Sequence, residues 1–264
     1  GNLTYEGLAS FTNEDEIGNL GMSLNYMARK LNSLEEDQKK FIGNVSHDFR
    51  SPLTSIKGYV EAMKDGTIPP EMQGKYLDIV LFETERLTKL TKSLLTLNAW
   101  DNKSNRLDLT EFSLYEMIKP IINSFEGKCE KKHITIDLIL GSKDYYVYAD
   151  RSKIEQVIYN LLDNAIKFSH NDSSIQLDIH DKNDKIFISI KDTGIGIPKE
   201  SISKIWDRFY KTDLSRGKDK TGTGLGLSIT KEIINAHDEN INVISTEGVG
   251  TEFIFTLKKV KAPK

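Results

Sequence analysis

Cysteine is all but missing from this chain. Cys129 stands alone among 264 residues, which excludes an internal disulfide and a cysteine-built metal cage and fits a reducing cytosol. Long hydrophobic runs are missing too. The longest stretch without Asp, Glu, Lys or Arg is the twelve residues from Ile17 to Ala28, and Gly18, Asn19, Gly21 and Asn25 interrupt it, so no membrane-spanning helix is expected. No basic segment followed by an apolar one opens the chain, and no signal peptide is expected. Strong charge of either sign is also lacking: the formal net charge is −3, which gives no overall pull towards nucleic acid. What is present suits a folded, multi-domain chain, with 38% hydrophobic and 28% charged residues.

The N-terminal third carries a helical rhythm. Ile17, Leu20, Leu24, Met27, Leu31, Leu34, Gln38, Phe41 and Val45 follow at alternating steps of three and four, a heptad seam. Phe49, Leu53, Ile56, Val60 and Met63 continue it, but two consecutive steps of four act as a stutter that locally unwinds a supercoil. Pro52 removes a backbone donor in this stretch and predicts a bend. Residues 65–70 break the helix into a hairpin connection. Val80, Leu87, Leu90, Leu94 and Leu97 then mark a second helix. One hairpin cannot bury both apolar faces, so the pattern predicts pairing of two chains into a four-helix bundle; a lone hairpin covered by the next domain is the alternative. Residues 100–106 are mostly polar and read as a linker that permits domain motion. Beyond them, 134–140, 175–179, 186–190 and 253–257 alternate as strands. Helices are expected near 114–126, 152–168 and 225–236. That mixture predicts a mixed sheet with helices on one face.

Four signals carry chemistry. His47 lies two residues from both Val45 and Phe49, about 200° round the helix from each, and so points away from the seam. An exposed imidazole beside the carboxylate of Asp48 suits nucleophilic work, because the acid can hold one ring nitrogen protonated and leave the other lone pair available. Taken alone, such a histidine is more often an ordinary surface residue. Asn160, Asn164 and Lys167 share a helical face beside an apolar stripe; amide oxygens suit Mg²⁺ and an ammonium suits phosphate. Asp192-Thr-Gly194-Ile-Gly196 follows a strand, where the acid can accept from an exocyclic amine and the glycines let backbone approach a flat base. Gly222-Thr-Gly224-Leu-Gly226 opens a helix and favours polyphosphate, without matching the dinucleotide or P-loop fingerprints. Between the last two, residues 199–220 carry excess positive charge and read as a lid over phosphates.

The ordered set Ser46-His47-Asp48-x-Arg50-x-Pro52-Leu53, Asn160-x-x-x-Asn164-x-x-Lys167, Asp192-x-Gly194-x-Gly196, Arg208-Phe209-Tyr210 and Gly222-x-Gly224-x-Gly226 resembles the sensor histidine kinases of two-component systems. The resemblance implies an all-α coiled coil and dimeric four-helix bundle followed by an α/β sandwich ATP-binding domain of the Bergerat type. Its modules would be a partial HAMP relay and connector at 1–36, a dimerisation and phosphoacceptor hairpin at 37–100, and the catalytic domain at 107–260. His47 would be the phosphoacceptor and Asp48 the acid that orients it and helps take its proton. Asn160 and Asn164 would flank Mg²⁺ and the phosphates of ATP, with Lys167 on a phosphate oxygen. Asp192 would read the adenine amine, Phe168 would lie against the ring, and Gly194 and Gly196 would admit the base. Gly222, Gly224 and Gly226 would shape the phosphate loop and lid hinge, with Arg208 and Lys211 as lid cations. Ser51 stands where the family often has Thr or Asn to position water for regulator dephosphorylation. The implied partners are a second copy of the chain and a response regulator receiver domain, with no nucleic acid. Membrane attachment would come only through a preceding N-terminal segment, making this the cytoplasmic portion of a plasma-membrane sensor. ATPases and chaperones of the same ATP fold carry Glu at the position of Asn160, where a carboxylate can deprotonate water and an amide cannot. A silent nucleotide-binding scaffold is the remaining rival, and the intact His47-Asp48 pair argues against it.

Overall fold

Helix α1 runs without interruption from Glu16 to Lys64, so the heptad seam and the segment bearing His47 belong to one helix. The computed structural model describes residues 16–101, 107–142, 145–212 and 222–261. The expected relay segment before residue 16, most of the linker and the lid residues 213–221 lie outside the described residues. Pro52 sits within α1, where it has no N–H to give the carbonyl of Asp48 four residues back. The chain turns at Asp65, whose carboxylate accepts from the Thr67 amide at 2.9 Å, and Ile68 N–H returns to Ala62 C=O at 2.8 Å. Helix α2 spans Pro70–Asp101; a proline at the first helical position loses only an amide with no helical partner. Tyr59 and Tyr76 meet across the hairpin with ring centroids 5.2 Å apart. Large apolar side chains of α1 nonetheless stay in water, with Leu31 at 64% and Leu34 at 55% exposure. The chain divides into two compact units, Gly1–Thr84 and Glu85–Lys264, the division falling inside α2.

Among the described residues the second unit is built on seven strands. They are β1 (Leu109–Ser113), β2 (Thr135–Leu140), β3 (Tyr146–Asp150), β4 (Ser174–Lys182), β5 (Lys185–Asp192), β6 (Ile241–Thr246) and β7 (Gly250–Val260). Helices α3 (Leu114–Ser124), α4 (Glu126–Lys132), α5 (Arg151–Phe168) and α6 (Gly226–Ala236) accompany them. The strand order is β1-β3-β7-β5-β4-β2, with β6 added to β7. Only β2 and β4 run parallel. Sequence alternation identifies β2, β4, β5 and β7 and misses β1, β3 and β6. The helix expected at 114–126 ends at Ser124; Phe125 takes φ −96° and ψ −4° and buries its ring against Tyr159, 4.7 Å between centroids.

Alternation along the strands explains the core. Ile175, Leu177, Ile179, Ile186, Ile188, Ile190, Phe253, Phe255 and Leu257 are all buried, while the residues between them are mostly not. Ile154, Val157, Ile158, Leu161, Leu162 and Ala165 of α5 supply the facing layer. Asp150 starts α5 by accepting from the Lys153 amide at 3.2 Å, a side-chain N-cap. Two ends of this scaffold converge functionally: the last turn of α5 and the end of β5, where Asp192 pairs in register with Thr251.

Candidate functional site

In the first unit, the His47 side chain is 82% exposed on α1. Its Nδ1 lies 3.4 Å from Oδ1 of Asp48, at the long end of hydrogen-bonding distance. With the proton on Nδ1, Nε2 carries the lone pair, the tautomer a nitrogen nucleophile requires. Ser51 is also exposed, one helical turn further on.

The second unit contains an open cleft between the last turns of α5, the end of β5 and the glycine loop. Asn160, Asn164, Lys167 and Phe168 from α5, Asp192 at the end of β5, Gly196 beyond it, Lys211, and Gly222, Gly224 and Gly226 all line it. Gly194 and Arg208 are not among the lining residues. Gly194 makes room for the chain itself: a Cβ there would stand 2.4 Å from the Phe168 carbonyl oxygen. Gly196, at φ +67°, is likewise pressed against the Thr246 carbonyl. The missing side chain of Gly194 lets the segment after β5 meet the end of α5, and that of Gly196 lets it meet the end of β6. Asp192 is buried, and one carboxylate oxygen accepts from Gly194 N–H at 2.8 Å. Burial pushes its carboxyl up to about 6, against the opposing pull of the Gly194 and Thr251 amides and of His170. A buried acceptor at one end of an apolar slot, walled by Ile195, Ile197 and Phe253, suits a flat base with an exocyclic amine.

The opposite end is cationic and rich in amides. Asn160 Nδ2 donates to the Gly226 carbonyl at 3.3 Å, joining α5 to the first turn of α6, whose leading N–H groups lack helical partners and favour anions. Phe209, at φ +65°, donates its amide to Gly224 C=O at 2.9 Å. This ties the middle of the 199–220 segment to the glycine loop. Asp163 lines the same cleft and escaped the sequence reading. It accepts from Lys128 at 2.7 Å and Lys167 at 2.8 Å, with Lys89 at 3.6 Å. Burial works to raise its carboxyl, but Lys167, Lys128 and Lys89 outweigh that and hold it at about 2. The four-residue spacing to Lys167 was the available signal; Lys128 comes from another helix and left none.

A helical segment bearing an exposed, acid-partnered histidine, followed by a sheet domain with this cleft, defines a histidine kinase. Residues 37–103 match the His Kinase A (phospho-acceptor) domain, and 149–261 match the histidine kinase-, DNA gyrase B-, and HSP90-like ATPases. The chain belongs to the histidine kinases. It is 35% identical over 235 residues to the sensor histidine kinase WalK of Bacillus subtilis (strain 168), an overlap of 88% of this chain and 38% of that protein. It is 37% identical over 231 residues to the sensor protein kinase WalK of Staphylococcus aureus, 85% of this chain and 54% of that one. The chain thus spans well under two thirds of either relative's length. The histidine kinase ThkA, solved in complex with the response regulator protein TrrA, matches with a TM-score of 0.71 and 31% identity, covering 88% of this chain and 65% of that one. The Acinetobacter baumannii histidine kinase AdeS matches with a TM-score of 0.68 and 26% identity, covering 80% and 97%. No helix among the described residues is long and apolar enough to cross a membrane.

Proposed function

We propose that this chain is the kinase module of a two-component sensor, transferring the γ-phosphoryl group of ATP to His47 and then to an aspartate of a response regulator receiver domain. The observation that carries the reading is the exposed imidazole with Nδ1 facing Asp48. In the first step Nε2 forms the N–P bond as the bond from γ-phosphorus to the β-bridging oxygen breaks, and ADP leaves with that electron pair. Asp48 stabilises the positive ring through the Nδ1 proton and can accept it. In the second step the aspartate oxygen takes the phosphoryl group and Nε2 recovers its lone pair. The solved complex of a relative with a response regulator supports the partner.

Asp192 reads the adenine amine, with Phe168 beside the ring; Lys167, Lys211 and the glycine loop meet the phosphates, with Arg208 as a further lid cation. Among the described residues no group of three or more His, Cys, Asp or Glu is assembled to hold an ion, while two neutral amides, Asn160 and Asn164, line the cleft. That donor set fits Mg²⁺ shared with phosphate oxygens rather than caged by protein alone. When bound, the ion would neutralise phosphate charge. The exposed seam of α1 supports a homodimer, with 1–36 as partial relay and connector, 37–100 as phosphoacceptor hairpin and 107–260 as catalytic domain.

Incubation with γ-labelled ATP tests the whole reading. Acid-labile, alkali-stable label on the protein is expected. Release of inorganic phosphate without label would favour a hydrolase, and bound nucleotide with neither outcome would favour a scaffold.

A further inference from the structure

The last turn of α5 holds Lys167 and Phe168 against the cleft, yet it ends without the usual device. A helix closes with unpartnered carbonyls, and a left-handed glycine commonly satisfies them. Here Ser169 follows in extended conformation, at φ −63° and ψ 152°, and only its amide turns back, to Ala165 C=O. The remaining carbonyls are served from elsewhere. Ile195 N–H reaches Phe168 C=O at 3.2 Å. Lys132, on α4, supplies the rest: its Nζ lies 2.7 Å from Ile166 O, 2.8 Å from Lys167 O and 3.4 Å from Ser169 O. Three N–H donors match three carbonyls, and the cation also suits the negative end of the helix.

Lys132 is itself held in place. Its carbonyl accepts from Asp172 N–H at 3.0 Å, just beyond the turn that its side chain caps. The next residue, His133, reverses the chain at φ 53°. One turn back on α4, Lys128 grips Asp163 at 2.7 Å.

We propose that Lys132 is a positioning residue for nucleotide binding, its ammonium fixing the α5 turn that presents Lys167 and Phe168 to the cleft. This rests on the cleft being the ATP site. Its action is on the ground state. In the Lys132→Met variant of the 264-residue chain, the KM for MgATP in autophosphorylation should rise about tenfold, the scale of one lost charge-assisted hydrogen bond. The rate at saturating ATP should stay within about twofold, a change worth well under 1 kcal/mol. Lys132→Arg should restore KM, and Lys131→Met, an exposed neighbour, should leave it unchanged. A purely structural role lowers the competent fraction, so a fall in saturated rate at unchanged KM would overturn the proposal, as would a parental KM in Lys132→Met. Should the methionine variant not fold, Lys132→Gln decides: an intermediate KM supports positioning and a parental one overturns it. Parent protein that neither binds MgATP nor takes label would instead overturn the ATP-site reading.

Discussion

The helix α1 and the sheet domain hide their apolar residues in opposite ways. Along α1, Leu20, Leu24, Met27 and Leu31 each leave at least half their surface in water. In the sheet domain Ile154, Val157, Leu161, Leu177 and Ile188 have none exposed. The first region leaves an apolar face uncovered, whereas the second closes its own core. Stability in the first should depend on protein concentration and in the second should not. His47 stands on the open region and the cleft lies in the closed one.

Loss of the nucleophile should separate the two most completely. His47→Gln should abolish acid-labile labelling while the affinity for MgATP in calorimetry stays at the parent value. Label retained on that variant would dissolve the distinction. Leu161→Ala, in the closed core, should cost about 2–5 kcal/mol and lower the melting temperature of the sheet domain at every protein concentration. Leu31→Lys, in the open seam, should instead weaken self-association at least tenfold by placing a charge at a seam position, seen in sedimentation equilibrium, with the sheet domain melting as before. Equal concentration dependence in both variants would break the contrast.

Within the closed region, two carboxylates sharpen it further. Asp163 is held at about 2 by lysines, so its stabilisation is complete above the ordinary carboxylate range and lost as pH falls towards 2. Asp192 behaves in reverse. Its carboxyl lies at about 6 against an ordinary 3.8, so between these values the folded state binds more protons and stability falls as pH rises. Asp192→Asn removes that cost and should gain stability on the order of 2–3 kcal/mol above pH 6, with no gain below pH 4, in pH-dependent denaturant melts. The same variant should bind adenine nucleotides more weakly, as isothermal titration would report. The smallest expected effect is at the exposed Ser51, where Ser51→Thr should modestly raise regulator dephosphorylation, measured by loss of label from the regulator.

Local pattern made much of this legible. The heptad seam, the exposed side of His47 and the shared face of Asn160, Asn164 and Lys167 follow from helical geometry within one segment. What stayed hidden depends on distant partners. Strand β1 buries only Phe112, β3 relies on the small Ala149 beside Val147, and β6 has no fully buried residue and leaves Ile244 in water, so none carries a clear apolar-polar alternation in sequence. Lys128 and Lys132 read as surface charges until α4 packs beside α5. Gly194 signalled a close approach, but only the fold shows that the approaching atom is the Phe168 carbonyl.

That last contact bears on how the cleft can change under selection. The wall beside Asp192 is built from backbone meeting backbone, at Gly194 with Phe168 and at Gly196 with Thr246. Any replacement at either glycine must push main chain apart rather than swing a neighbouring side chain aside. A compound drawing its affinity from the peptide groups around Asp192 would therefore meet few tolerated escape mutations at these two glycines.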